Sequence, residues 1–336
     1  MQSALHKVIG PRKVHPDNLH GRVAVVTGGA LGIGYEISRA LAHAGCRTIM
    51  VNRKAEEGQA AISQIKEESP DAVIEWKQCD LGSLGQVRSV FSELRDSLDR
   101  LDVLVLSAGI NANVYELDAD GIEHIFGVNY LGQYYATNQL WPLLVATSRI
   151  PGASPPRIVA LSSEVHRAAP SDVKFNTIDD INNEALGPTQ RYGRSKLALI
   201  LLTKTLHEKV IKPSDSLIRV LAVHPGTVKT GMQDQWKAAY PGITGHLLSF
   251  AMKALGRDPE QGAYSSLWAL TAPEIDEKNI NAAYYTDPGT PGKESAQASN
   301  PQLGEALWKL SEHLVKDKLG NDALLSWRDQ SQGLRK

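Results

Sequence analysis

A doubly wound α/β fold, a parallel sheet of about seven strands with helices on both faces, is what this 336-residue sequence predicts. Three observations predict it. Short β-branched runs alternate with amphipathic stretches; the runs are apolar without alternation, as strands covered on both faces must be; and a glycine-rich turn follows the first run. In order, the strands are read at Val23–Val26, Thr48–Val51, Ala72–Ile74, Leu104–Leu106, Ile158–Leu161, Ile218–Val223 and Ala282–Tyr285. Between them, Ile33–Ala44, Lys54–Glu68, Leu84–Leu98, Ala119–Ala146 and Tyr192–Val210 carry apolar residues three and four apart and read as helices. The Pro- and Gly-rich stretch Asp287–Gly292 breaks structure, and Leu303–Val315 follows as a C-terminal helical extension. One domain over 21–286, between extensions 1–20 and 287–336, is enough to hold these elements.

Composition narrows the function classes. Lys plus Arg number 36 against 37 for Asp plus Glu, so a net charge of -1 offers no field for nucleic acid or anionic lipid. Cys46 and Cys79 are the only cysteines, too few for a disulfide framework, which favours a reducing compartment. Met1–Gly21 holds no signal-peptide core, and the most apolar stretch, Leu197–Leu202, is far too short to span a bilayer. A cytoplasmic protein acting on a small molecule, with no membrane segment and no metal site, is therefore expected.

Directly after the first strand comes Thr27-Gly28-Gly29-Ala30-Leu31-Gly32-Ile33-Gly34, which opens an amphipathic helix. Glycines there let the backbone approach a pyrophosphate closely, and the helix start offers free amides to its charge. Gly28, Leu31, Gly32, Ile33 and Gly34 are thus expected against a dinucleotide. About 20 residues further on, an NAD enzyme would place a carboxylate against the ribose hydroxyls. Asn52, Arg53 and Lys54 stand there instead, and a guanidinium suits a 2′-phosphate, so NADP(H) is the expected cofactor.

Tyr192 and Lys196 lie four apart at the start of a helix, on one face. An ammonium about 4 Å from a phenol favours the phenolate by up to about 4 kcal/mol at an effective dielectric of 20, enough to bring it towards neutrality. Such a phenol can give a proton to a carbonyl oxygen or take one from an alcohol. Ser163 ends the fifth strand, where ligands sit in open parallel sheets, and its hydroxyl can bind the same oxygen. After the sixth strand, Pro225, Gly226, Val228 and Thr230 form a turn expected against the nicotinamide, while His224 reads as a structural hydrogen-bonding residue.

Together, Thr27–Gly34, Asp80, Ser107-Ala108-Gly109, Asn129, Ser163, Tyr192 with Lys196, and Pro225-Gly226 resemble the short-chain dehydrogenase/reductase family, over about Gly21–Tyr285. Arg53, Gly127–Gly132, Leu161–His166 and His224-Pro225-Gly226 look like its retinol-dehydrogenase and WW-domain-oxidoreductase branch. The resemblance implies a Rossmann fold and a catalytic group of Ser163, Tyr192 and Lys196. It implies that Asn129 holds a helix distortion and a water leading to Lys196. It places Asp80 and Leu81 at the adenine, with Ser107, Ala108 and Gly109 also on the cofactor. Ser107 departs from the family's usual Asn, and a hydroxyl cannot reproduce the full amide pattern.

The aromatic and apolar residues of 231–256 are expected to form a substrate lid suited to a bulky apolar or aromatic ketone or aldehyde. Apolar helix faces around Leu197–Leu202 and Tyr134, Tyr135 and Trp141 need a cover, either a homodimer partner or the C-terminal extension. The alternative from another class is a catalytically silent scaffold that senses NADPH.

Overall fold

The computed structural model describes residues 10–214, 216–228 and 256–328. Strands β1 (Val23–Thr27), β2 (Arg47–Asn52), β3 (Ile74–Gln78), β4 (Val103–Leu106), β5 (Arg157–Leu161), β6 (Arg219–Val223), β7 (Ala283–Asp287) and β8 (Thr290–Pro291) form one sheet, ordered 3-2-1-4-5-6-7-8. The first seven are parallel, and β8 turns back against β7. The helices are α1 (Gly32–His43), α2 (Ala55–Glu68), α3 (Leu84–Ser97), α4 (Gly132–Thr147), α5 (Ile178–Ile181), α6 (Pro188–Leu206), α7 (Pro259–Thr271), α8 (Glu274–Glu277) and α9 (Pro301–Leu319).

Alternate residues of one strand feed opposite cores. Val23 and Val25 of β1 pack with Phe91 of α3, Leu140 of α4 and Leu197 of α6, whereas Ala24 and Val26 pack with Ile37 of α1 and Leu267 of α7. Every residue of β1, β4, β5 and β6 is buried, which is why these strands read as unbroken apolar runs.

Four boundaries differ from the sequence reading. β3 runs over Ile74–Gln78 rather than Ala72–Ile74, because an edge strand with one half-exposed face carries Glu75 and Lys77 and escapes an apolar-run criterion. The helix expected from Ala119 begins at His124: the Asp118 carboxylate holds the Asp120 and Ile122 amides in a turn, and Glu123 caps the amides of Ile125 and Phe126. α6 starts four residues before Tyr192, at Pro188, with proline in the first turn, where its missing N–H costs nothing. The stretch Asp287–Gly292, expected to break structure, makes the hairpin that adds β8.

The cover over the apolar helix faces is the C-terminal extension. Tyr130 is hydrogen bonded to Ser311 at 2.8 Å, Tyr135 donates to the Ala323 carbonyl at 3.0 Å, and Trp141 Nε1 donates to the Trp327 carbonyl at 3.0 Å. Trp308 stands edge-on to Tyr134 at 5.4 Å. Of the two covers expected for these faces, homodimer partner or extension, the extension is the one seen on Tyr130, Tyr134, Tyr135 and Trp141.

Candidate active site

Strand order reverses between β1 and β4, and in open parallel sheets that switch point opens the ligand crevice. The chain leaves β1 through Gly28 (φ 64°) and Gly32 (φ 55°), in the left-handed region that glycine tolerates. A side chain on Gly28 would meet Ala108 Cα at 2.7 Å, and one on Gly34 would overlap the Gly28 carbonyl oxygen. α1 then starts with no side-chain cap at Leu31 and no acidic residue in its first turn. Leu31 is 59% exposed beside it. Ile33 and Val228 both pack against Gly262 of α7, where a side chain would touch each. A backbone cradle that any Cβ would fill, next to uncapped amides, fits a dinucleotide pyrophosphate.

At the end of β2, Asn52 donates to the Lys54 carbonyl at 2.9 Å and fixes the turn that presents Arg53. Arg53 is 55% exposed, and its Nη1 lies 3.7 Å from Asp80 Oδ2. Asp80 Oδ1 accepts from Gly82 N at 2.9 Å, and Leu81 is buried against Gly132 of α4.

Tyr192 and Lys196 are both buried in the first turns of α6, with Lys196 Nζ 5.5 Å from the centre of the Tyr192 ring. Nζ donates to the Leu161 carbonyl at 2.8 Å, and Ser162 Oγ donates to the Lys196 carbonyl at 2.8 Å, so Ser162 is a strut between β5 and α6. Ser163 caps the 3₁₀ turn Glu164–Ala168 by accepting from Val165 N at 3.2 Å. That turn lies directly on α6 because Gly193 has no side chain: a Cβ would stand 2.7 Å from the Val165 carbonyl.

Asn129 sits in a π-helical turn, Gly127–Leu131, and is fully buried. Its Oδ1 accepts from Ile110 N at 2.7 Å, and its Nδ2 donates to the Ile110 carbonyl and to Ser195 Oγ, each at 3.0 Å. A Cβ on Gly109 would lie 3.4 Å from Lys196 Nζ and 3.5 Å from Asn129 Oδ1, so these three residues meet at one point.

Burial pushes the Tyr192 phenol well above its ordinary range and pulls the Lys196 ammonium down to about 8. Burial therefore opposes the acidification of Tyr192 expected from its spacing to Lys196. The ammonium lies beside the ring and donates its hydrogen bond to Leu161, and loss of water disfavours the phenolate. The phenol keeps its proton.

After β6, His224 accepts from Glu164 N at 3.4 Å through Nδ1, the structural bond expected of it, and Gly226 turns the chain at φ 84°. Val228 bridges to Arg257. Thr230 and all of the expected lid except Gly256 lie outside the described residues.

Sequence reasoning missed three side chains. Arg257 donates to the Pro225 carbonyl at 3.2 Å and pairs with buried Asp287 at 2.6 Å, holding the Pro225-Gly226 turn to β7. Ser195 passes a bond from Asn129 to the Tyr192 carbonyl at 2.8 Å. Gln133 Nε2 donates to the Ala108 and Asn129 carbonyls, and its Oε1 lies 2.9 Å from Thr27 Oγ1. Ser107 Oγ donates to the Thr27 carbonyl, so the serine is tied to the end of β1. The one available signal was that Gln133 stands one helical turn from Asn129.

The profile of the family described as short chain dehydrogenase matches residues 22–171. The chain is 35% identical over 297 residues to polyprenol dehydrogenase of Danio rerio, covering 88% of this chain and 87% of that one. It is 30% identical over 311 residues to WW domain-containing oxidoreductase of Drosophila melanogaster, covering 90% and 71%. A crystal structure of an uncharacterized protein from Mycobacterium Paratuberculosis matches with a TM-score of 0.66 at 27% identity, covering 89% of this chain and 95% of that one.

Proposed function

Because the chain belongs to the short-chain dehydrogenase/reductase family, in the branch of the WW domain-containing oxidoreductases and retinol dehydrogenases, we propose that it is an NADP(H)-dependent carbonyl reductase or alcohol dehydrogenase. The observation that carries this reading is the meeting of Lys196, Asn129 and Gly109 beside the Tyr192 ring, at the strand ends where Ser163 also stands. NADPH, when bound, supplies the hydride. Gly28, Leu31, Gly32, Ile33 and Gly34 hold its pyrophosphate, Arg53 its 2′-phosphate, and Asp80 and Leu81 its adenine. Ser107, Ala108, Gly109, Pro225, Gly226, Val228 and Thr230 border the rest.

Tyr192 donates its proton to the substrate oxygen in reduction, which suits a phenol that burial keeps protonated. Ser163 donates a hydrogen bond to the same oxygen. Lys196 orients the phenol and the nicotinamide ribose, and Asn129 fixes the π turn beside it. A bulky apolar or aromatic ketone or aldehyde is the substrate class. Val114 and Leu117, 66% and 48% exposed on the loop after β4, are apolar groups open to solvent that agree with it. The relative from Danio rerio is by its name a polyprenol dehydrogenase, which also favours an apolar substrate. The unit over 21–286 carries this chemistry, flanked by 1–20 and 287–336.

A cytoplasmic location belongs to the same reading: Cys46 and Cys79 are free and buried, as in a reducing compartment. Among the described residues no helix is long and apolar enough to cross a membrane. The test is NADPH oxidation against a panel of aldehydes, ketones and quinones. Tyr192→Phe is expected to bind NADPH normally and to lose at least about 100-fold in kcat. Unchanged turnover in that variant removes the proposed acid; binding without turnover in the parent protein selects the silent scaffold instead.

A further inference from the structure

His166 is fully buried, three residues beyond Ser163. Its Nδ1 lies 2.6 Å from the Ser163 carbonyl oxygen, and its Nε2 lies 3.0 Å from Ser295 N. A carbonyl oxygen only accepts and a main-chain N–H only donates, so a single tautomer satisfies both: the proton on Nδ1 and the lone pair on Nε2. Tyr284 of β7 packs its edge against the ring at 5.5 Å and donates to Glu164 at 3.0 Å. Glu164 also takes Arg167 at 2.9 Å. The imidazole is therefore a neutral bridge between the catalytic strand end and the segment that follows β8.

That segment is itself anchored. Glu294 pairs with Lys204 of α6 at 2.6 Å, and Gln297 donates to the Pro170 carbonyl at 2.7 Å. The part of the chain that reads as an appendage thus reaches back to the main chain of Ser163.

We propose that His166, held by Ser295, is a positioning residue that fixes the Ser163 main chain and so aims its hydroxyl at the substrate oxygen. The proposal rests on the reading of Ser163 given above. His166 touches neither substrate nor cofactor; its ring adds a second hydrogen bond to the Ser163 carbonyl oxygen, which already accepts from the His166 main-chain N–H at 3.0 Å. Preorganisation of this kind is sensitive to small displacements, because a donor shifted by a fraction of an ångström no longer meets the developing charge.

The experiment is a double-mutant cycle on the panel carbonyl that the protein reduces fastest. His166→Ala is expected to lower kcat about tenfold while the KM for NADPH stays within about twofold. In a Ser163→Ala background the same change is expected to cost nothing further, since both changes remove one interaction. His166→Asn places Nδ2 where Nδ1 was, keeps the donor to Ser163, and is expected to stay within about threefold of the parent. His166→Gln, which offers an acceptor to Ser295 but no such donor, is expected to fall with the alanine variant. The Asn and Gln pair reads the same bond should the alanine variant not fold.

Parent-level kcat in His166→Gln, or an equal loss in the Ser163→Ala background, overturns the proposal. Ser163→Ala with full turnover overturns the reading beneath it. Nitrogen NMR of the imidazole tests the bridge without substrate: a protonated Nδ1 with unprotonated Nε2 supports it, and the opposite tautomer overturns it.

Discussion

The glycine turn after β1 and the candidate catalytic centre lie at the same carboxyl end of one sheet's strands, but they are built from opposite materials. The turn is made by what is missing: Gly28 and Gly34 leave room for backbone to touch backbone, and α1 begins with no cap of its own. The catalytic centre is made by what is present. Buried Asn129, Ser195, Gln133 and Lys196 exchange hydrogen bonds across partners that are far apart in sequence. One region tolerates no added atom, and the other no lost partner.

The sharpest consequence falls on the turn. Gly34→Ala places a Cβ over the Gly28 carbonyl oxygen, and this backbone group cannot withdraw without moving the turn after β1. A loss of about 3 kcal/mol in stability is expected, together with loss of NADPH binding. Thermal melts and nucleotide fluorescence check both. Normal binding by this variant means that the turn is not packed as described.

That difference in materials also explains what could be read in advance. Six of the seven parallel strands and the glycine turn were legible because each is a local pattern: β-branched runs for buried strands, and glycines at a fixed distance from the first of them. The placement of Tyr192 and Lys196 on one helix start, and of Ser163 at a strand end, was legible through spacing and position. Gln133, Ser195 and Arg257 were not, because their role is set by partners that only the folded chain supplies. Arg257, for example, owes its place to Asp287 on β7 and to the turn at Pro225. The protonated Tyr192 escaped for a related reason. Spacing on a helix gives the distance to Lys196, whereas burial, the larger influence, depends on everything packed around the pair.

The catalytic side should also show its burial in acid. Loss of hydration holds the His224 imidazolium down to about 4, against an ordinary value of 6.5. As pH falls below 6.5 the unfolded chain takes up this proton while the folded chain does not, so stability declines down to about pH 4 and then levels off. The contribution is complete above pH 6.5, and its loss amounts to up to about 3 kcal/mol. Urea midpoints at pH 7 and pH 4 measure it. His224→Gln should flatten the profile in that window, and an unaltered slope would assign the acid sensitivity elsewhere.

Gln133 offers the matching test of lost partners. Gln133→Leu keeps the volume but leaves the Ala108 and Asn129 carbonyls without this donor. About 2 kcal/mol of stability is the expected loss, with kcat falling as the π turn relaxes. Gln133→Glu, which keeps the acceptor to Thr27 but not the donors, should resemble leucine. If leucine alone is harmless, other groups serve those carbonyls.

Arg53 carries the smallest effect, because it belongs to neither kind of construction. Its guanidinium is 55% exposed, and its nearest charged partner, Asp80, stands at 3.7 Å, a loose pair in water. Nothing in the fold depends on it, so Arg53→Asp should leave the melting temperature nearly unchanged. In the proposed function its influence falls on the 2′-phosphate, where solvent screening is expected to leave about a tenfold advantage for NADPH over NADH. The variant is expected to lose that preference, read as the ratio of kcat/KM for the two nucleotides. Raising salt towards 1 M should shrink the preference of the parent but hardly alter the variant, as a charge effect requires. A preference that survives both the exchange and the salt would belong to the shape of the groove instead.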